Sequence, residues 1–289
     1  MSSPLPRLPE IPGSRFLKQR LARRISDVFN DRSRGEKPVV RQTTDVLFPP
    51  GSVVRRVHAD VVSMTVGGMT ALLMQMLHPA VLAGVWDHSN FREDMAGRLR
   101  RTARFIAVTT YGHREDALAA IARVRAIHER VTGVLPDGTP YRANDPALLA
   151  WVHLTETRSF LAGWRRFGEP GMSREDRDRY FLEMAQFGRR LGADPVPYSE
   201  REALRQIDAR RPELRSDARS REVCRFLLES TTTFPGGAVI QRLLTQAAID
   251  MLPDWAREMH GLSSSGPGAP LVGAATFGAA EAVRWAFRS

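Results

Sequence analysis

The sequence predicts an all-α protein, a single helical-bundle domain with an extension at each end. Apolar residues, 43% of the 289, recur at helical spacings through the middle of the chain. Period-2 runs of β-branched and aromatic residues are scarce. Helix-end signals fall where the periodic stretches begin and stop.

Residues 1–58 read as a Pro- and Arg-rich N-terminal extension, with a turn at Pro49-Pro50-Gly51. Its first residues hold no apolar run of the kind a secretory leader needs. Residues 16–29 form a basic amphipathic pattern, with Phe16, Leu17, Leu21, Ile25, Val28 and Phe29 near one face. Such a helix docks at a domain edge or lies on anionic lipid. Residues 59–252 hold the helical domain. Helices are predicted at 59–77, 79–88, 94–111, 114–132, 146–168, 173–191, 199–207, 216–229 and 237–251. Asn144-Asp145-Pro146 supplies an N-cap followed by proline in the first turn. Ser173 with Asp176 matches a capping-box frame. Gly133 and Gly192 stand where a helix C-cap would place glycine. Residues 253–289 read as a Gly/Ser linker (261–270) leading to an apolar terminal helix.

Residues 61–86 carry no Asp, Glu, Lys or Arg and are long enough to cross a bilayer. The Gly67-Gly68 and His78-Pro79 pairs instead favour two buried helical pieces. The formal net charge is +10, yet all but two of the 42 basic residues, Lys18 and Lys37, are arginine. Bias of that kind is first a compositional trait of the coding sequence. The arginines are spread over nearly every helix among 32 acids, with no basic stripe, so no nucleic-acid partner is expected. The single cysteine, Cys224, excludes an internal disulfide framework and a cysteine-cluster metal site.

No phosphate-binding glycine loop, nucleophile elbow or HExxH zinc motif is present. The chemistry-bearing residues are histidines and one arginine. His128 falls on the stripe Ala117, Ile121, Val124, His128, Val131, spaced to face inward. His153 falls on the stripe Leu149, His153, Glu156, Phe160, Gly163, Phe167. His78 ends the first half of the uncharged segment. A buried imidazole needs a hydrogen-bond partner or a metal. Each is a satisfied core histidine, or the three share one site. Arg98 and Thr102 share a helix face with Phe105 and Thr109. A buried arginine there needs an anion, either a structural carboxylate or an acidic ligand.

These residues fall in recognisable strings: His78-Pro-Ala-Val-Leu-Ala-Gly-Val85, then Asp87-His88-Ser89 and Phe91. Gly97-Arg98-Leu-Arg-Arg-Thr102 and Arg125-Ala-Ile-His128 follow. Gly138-Thr-Pro-Tyr141, Ala143-Asn-Asp-Pro146 and Leu149-Ala-Trp-Val-His153 complete the series. In order and spacing the chain resembles the rubber oxygenase (latex clearing protein) and MpaB-type haem oxygenase family over roughly residues 55–250. The resemblance implies an all-helical fold with a globin-like core and haem b as cofactor, with dioxygen as co-substrate. It implies a catalytic pair, Arg98 and Thr102, on the distal side. It implies cofactor contacts from Arg98, Arg101, Thr102, Arg125, His128, His153 and His78. His128 is the first choice for axial iron ligand and His153 the second. Rubber-cleaving members carry a lysine where this chain has Arg101, and a permanently protonated arginine is a poor iron ligand.

The function expected is a haem b-dependent oxygenase acting on a small lipophilic molecule, isoprenoid or alkene-containing. The alternative is a non-catalytic helical protein that binds haem or another lipophilic ligand. Without a leader the chain is expected in the cytoplasm, with peripheral membrane contact through residues 16–29. Met64, Met69, Met74 and Met76 line an apolar pocket or fill the core.

Overall fold

A computed structural model describes residues 38–229 and 237–287. The amphipathic pattern at 16–29 lies outside the described residues. Among the described residues there are twelve α-helices and one two-stranded hairpin, so the chain is all-α.

The centre of the molecule is a pair of antiparallel helices, α2 (Val61–Gln75) and α6 (Pro146–Phe167). Asp60 caps α2 by accepting from the Ser63 amide at 2.7 Å, and Asp145 caps α6 by accepting from Ala147 and Leu148. Two glycines let the backbones approach. A Cβ on Gly67 would lie 2.7 Å from the Ser159 carbonyl oxygen, and one on Gly163 would lie 2.6 Å from that of Ser63. The uncharged segment therefore behaves as two pieces. α2 ends at Gln75, and α3 (Pro79–His88) starts at Pro79 after a bend of 104°. No single helix among the described residues is long and apolar enough to cross a membrane.

Around this pair stand α4 (Phe91–Tyr111), α5 (Arg114–His128), α7 (Arg174–Leu191) and α8 (Glu200–Arg210), followed by α9 (Ala218–Glu229). α4 is broken at Asp94, whose backbone leaves helical geometry and whose carboxylate caps the remainder by accepting from the Gly97 amide at 2.7 Å. The Ser173 cap of α7 and the left-handed Gly192 at its end match the sequence signals. Trp151, Tyr180, Phe91, Phe167 and Phe181 are the largest fully buried side chains. Met69, Met74 and Met76 are buried core residues, and Met64 is half-buried.

α10 (Gly237–Asp250), α11 (Asp254–His260) and α12 (Ala269–Phe287) close the fold. α12 is fastened to the central pair by Arg284, which donates to Asp60 Oδ2 at 2.7 Å and to the Phe167 carbonyl. The segment before it is anchored rather than loose. Ser265 donates to both oxygens of Asp250, and Gln246 donates to the Ser263 carbonyl.

Three expectations change. Gly133 is no C-cap. The helix stops at His128, and Gly133 pairs with Tyr141 in the hairpin of β1 (Thr132–Val134) and β2 (Pro140–Arg142). The Tyr141 ring occupies the place of its missing Cβ, at 2.7 Å. A five-residue helix, α1 (Val53–Val57), escaped the periodicity reading because it is too short to show a period. Phe48, Val53, Val54 and Val57 enter the main core, so the end of the predicted extension is structural.

Gly67 on α2 and Gly163 on α6 give a direct test of the close approach. Gly163→Ala, or Gly67→Ala, should destabilise by about 2 kcal/mol or more, because a methyl must displace a backbone carbonyl. Gly68→Ala meets its nearest atom, Phe160 Cε1, at 3.6 Å. It should be neutral or stabilising through helix propensity. Urea midpoints at equal m-value measure both. A Gly163→Ala protein as stable as the parent contradicts the packing.

Candidate functional site

The strongest candidates gather on α4, α5, α6 and α7. On α6, His153 is 3% exposed, and neither ring nitrogen has a hydrogen-bond partner. Its ring lies in the notch left by Gly188 of α7, where a Cβ would sit 2.8 Å from Nε2. Phe187 lies 6.4 Å from it, centroid to centroid, and 5.9 Å from Phe105 of α4. Stripped of water and given no charged neighbour, His153 is neutral, its pKa lowered to about 4.

His128 ends α5 half-buried, with Nδ1 buried and unpartnered. Burial lowers its pKa. Arg125, one turn earlier, is exposed. It donates to the Arg190 carbonyl at 3.5 Å, and its own carbonyl accepts from Asn144, which ties the end of α5 to α7 and to the start of α6.

On α4, Arg98 is half-buried and donates to the Ser89 hydroxyl at 2.7 Å. No carboxylate pairs with it among the described residues. Its pKa is lowered by burial first and by the Arg101 charge second. Arg101 is exposed and paired with Asp94 at 3.3 Å. Thr102 is exposed, and its hydroxyl donates to the Arg98 carbonyl at 3.2 Å. The break at Asp94 thus serves two ends, capping α4 and holding Arg101 outward.

His78 stands apart from His153. Its ring lies 6.4 Å from Trp151, and Nε2 lies 3.5 Å from the Glu213 carboxylate. Trp151 and His153 are two residues apart on one helix, roughly 200° around it, so they face opposite sides of α6. The three inward histidines do not meet in one place.

Several polar groups were not singled out by sequence reasoning. His58, packed edge-on to Phe160, bridges Thr110 at 3.0 Å and the Tyr180 hydroxyl at 2.9 Å. Burial lowers its pKa to about 3. His260 donates from Nε2 to the Leu73 carbonyl at 2.8 Å, which leaves Nδ1 to accept from the Cys224 thiol at 3.5 Å. Burial pushes that thiol up to about 12, so this is a neutral structural pair. Glu156, one turn from His153, has a carboxyl raised to about 7 by burial. The Gln75 carboxamide opposes that rise, yet its Nε2 completes no hydrogen bond.

No group of three or more His, Cys, Asp or Glu side chains able to hold a bare metal ion occurs among the described residues. The family model described as ER-bound oxygenase mpaB/B'/Rubber oxygenase, catalytic domain, matches residues 55–285. The chain belongs to this oxygenase family. The match begins in α1 and runs into α12, so the oxygenase domain includes both elements. No curated protein and no solved structure matches the chain.

The buried titratable groups of this oxygenase domain make its stability pH-dependent. His58 and His153, with folded values of about 3 and about 4, are neutral when folded but take up protons below about 6.5 when unfolded. Stability from them is complete above that value and is lost as pH falls. Glu156 has the opposite sign. Folded at about 7, it keeps a proton that the unfolded chain releases above about 4.3. The histidines prevail, so unfolding free energy should fall on acidification from pH 7 to 5. Glu156→Gln removes the opposing group and should steepen that fall by about 1.4 kcal/mol per pH unit. Urea denaturation at several pH values measures it, and equal slopes would contradict the assignment.

Proposed function

We propose that this oxygenase is haem b-dependent and uses dioxygen on a small lipophilic molecule, an alkene-containing or isoprenoid chain. The observation that carries the haem reading is Arg98, a half-buried guanidinium with a serine hydroxyl and no carboxylate beside it. A cation so placed wants an anion, and a propionate supplies one. The other requirements of the group are met by residue type. A haem needs one neutral imidazole rather than a cluster of ligands, and His128 has its pKa lowered by burial and its Nδ1 unpartnered. It needs apolar surface, and Leu72, Val81, Val85, Phe105 and Ile106 are half-buried against the core. When bound, haem b supplies the redox-active iron at which dioxygen is used.

In this reading His128 would hold the haem iron and Arg98 would pair with a propionate. Arg101 stays outside, held by Asp94. His153, with both nitrogens enclosed, is the less suitable ligand, and His78 already faces Glu213. The amphipathic pattern at residues 16–29 supports peripheral membrane contact, close to a source of lipophilic substrate, for a chain placed in the cytoplasm by this proposal.

Protein expressed with a haem precursor should show a Soret band. His128→Ala should lose it, whereas His153→Ala should keep it. Arg98→Ala should weaken haem affinity about tenfold or more, the size of one charge-assisted hydrogen bond. Oxygen uptake with a long-chain alkene separates an oxygenase from a passive carrier. Colourless protein that fails to take up haemin would sink the proposal.

A further inference from the structure

A second set of groups lies around one turn of α6, where Glu156 neighbours Gln75 at the end of α2 and His153 packs against Gly188 of α7. Along α6 from Leu149 to Leu161 almost every side chain is buried, but Val152 and Glu156, one turn apart, are half-open, as is Arg158. Along α2 the half-open positions Gly68 and Leu72 are likewise one turn apart. The helices are antiparallel, with Gly67 against Ser159 and Phe160. Two turns further along α2 lies Gln75, and two turns back along α6 lies the Val152–His153 pair. Gln75 thus comes opposite the turn that carries His153 and Glu156, in agreement with its influence on the Glu156 carboxyl.

The polar inventory of this turn is incomplete. Gln75 is 5% exposed with Nε2 unpartnered, and His153 is 3% exposed with both nitrogens unpartnered. Buried donors and acceptors are nearly always paired, and leaving one unpaired is costly. Two neutral side chains, Gln75 and His153, beside a Glu156 carboxyl that holds its proton up to about pH 7 suit a neutral oxygen. They can donate from the Gln75 amide and from the Glu156 carboxylic acid, and accept at His153 or at the carboxyl oxygen. They suit neither a bare hydrocarbon, which pairs with none of them, nor a carboxylate, which would need a cation.

We propose that Gln75, His153 and Glu156 form a head-group site that takes the hydroxyl or carbonyl oxygen of a lipophilic ligand. This rests on the reading that the domain acts on a small lipophilic molecule, and it narrows that molecule to an oxygenated one. The rest of the ligand lies along the half-open apolar positions, Leu72 and Val152 among them.

The test is titration of the purified full chain, its haem content recorded by absorption, with 1-dodecanol and with 1-dodecene, followed by tryptophan fluorescence. The alcohol should bind about tenfold or more tightly than the alkene, the effect of one to two hydrogen bonds in a dry site. Gln75→Leu and Glu156→Leu should each erase the preference without weakening the alkene. Glu156→Gln, which keeps a donor and an acceptor, should retain it and serves if a leucine variant fails to fold. Equal binding of the two probes, binding of neither, or a preference that survives both leucine variants would overturn the proposal. The two proposals fail separately. Colourless protein that prefers the alcohol removes haem and leaves this site, and haem-binding protein without the preference does the reverse.

Discussion

The structure depends on how closely α2 and α6 approach. Gly67 and Gly163 remove the two side chains that would hold these backbones apart, and each backbone fills the space left on the other. Dispersion contacts at that distance are dense and intolerant of added volume. The pair then serves as a frame. α10 and α12 cover one side, with Thr70 donating to the Ala248 carbonyl and Arg284 reaching Asp60. α4 and α7 meet across the other through Phe105 and Phe187. Because α6 is fixed against α2, its polar residues are fixed too, and His153 sits in the Gly188 notch with neither ring nitrogen paired to the protein.

The electrostatic character of the interior follows from that frame. A tightly packed, water-poor core penalises charge of either sign. His58 and His153 stay neutral by losing a proton, and burial makes Glu156 keep its proton up to about pH 7. Tyr180 is driven further from ionisation by burial and then by the fields of Glu156 and Glu183. Arg98 has no neutral form to retreat to, because guanidinium keeps its proton. It is the group in this region whose environment asks for an external anion. A helical interior with neutral polar groups, and with Arg98 facing no carboxylate, suits an acidic, largely apolar cofactor and a lipophilic ligand that carries a polar head.

Much of this was legible in the sequence because it is local. The starts of α6 and α7 are written in Asp145-Pro146 and Ser173, and their caps form as spacing required. His153 falls inward because a stripe at helical spacing leaves it no other side. What was not legible depends on distant pairings. His58 meets Thr110 and Tyr180, which are 52 and 122 residues away. Nothing near His58 in the chain announces either partner. Gly133 looked like a helix end because glycine suits both a C-cap and a close strand crossing, and only the Tyr141 ring decides between them. Trp151 and His153 are neighbours in sequence and opposites on the helix, so a histidine at each end of a motif need not share a site. The +10 charge, which first pointed outward to polyanions, resolves among the described residues into surface pairs such as Arg101–Asp94 and half-buried arginines such as Arg98 that face no carboxylate.

The proposed haem site would draw on His128 of α5 and Arg98 of α4. The most direct measurement is the haem content of full-length protein reconstituted with haemin and freed of excess, read as the pyridine haemochrome against protein concentration. A ratio close to one haem per chain, abolished in His128→Ala at unchanged helicity, is the predicted result. A ratio near zero in the parent, or the same ratio in His128→Ala, would contradict it.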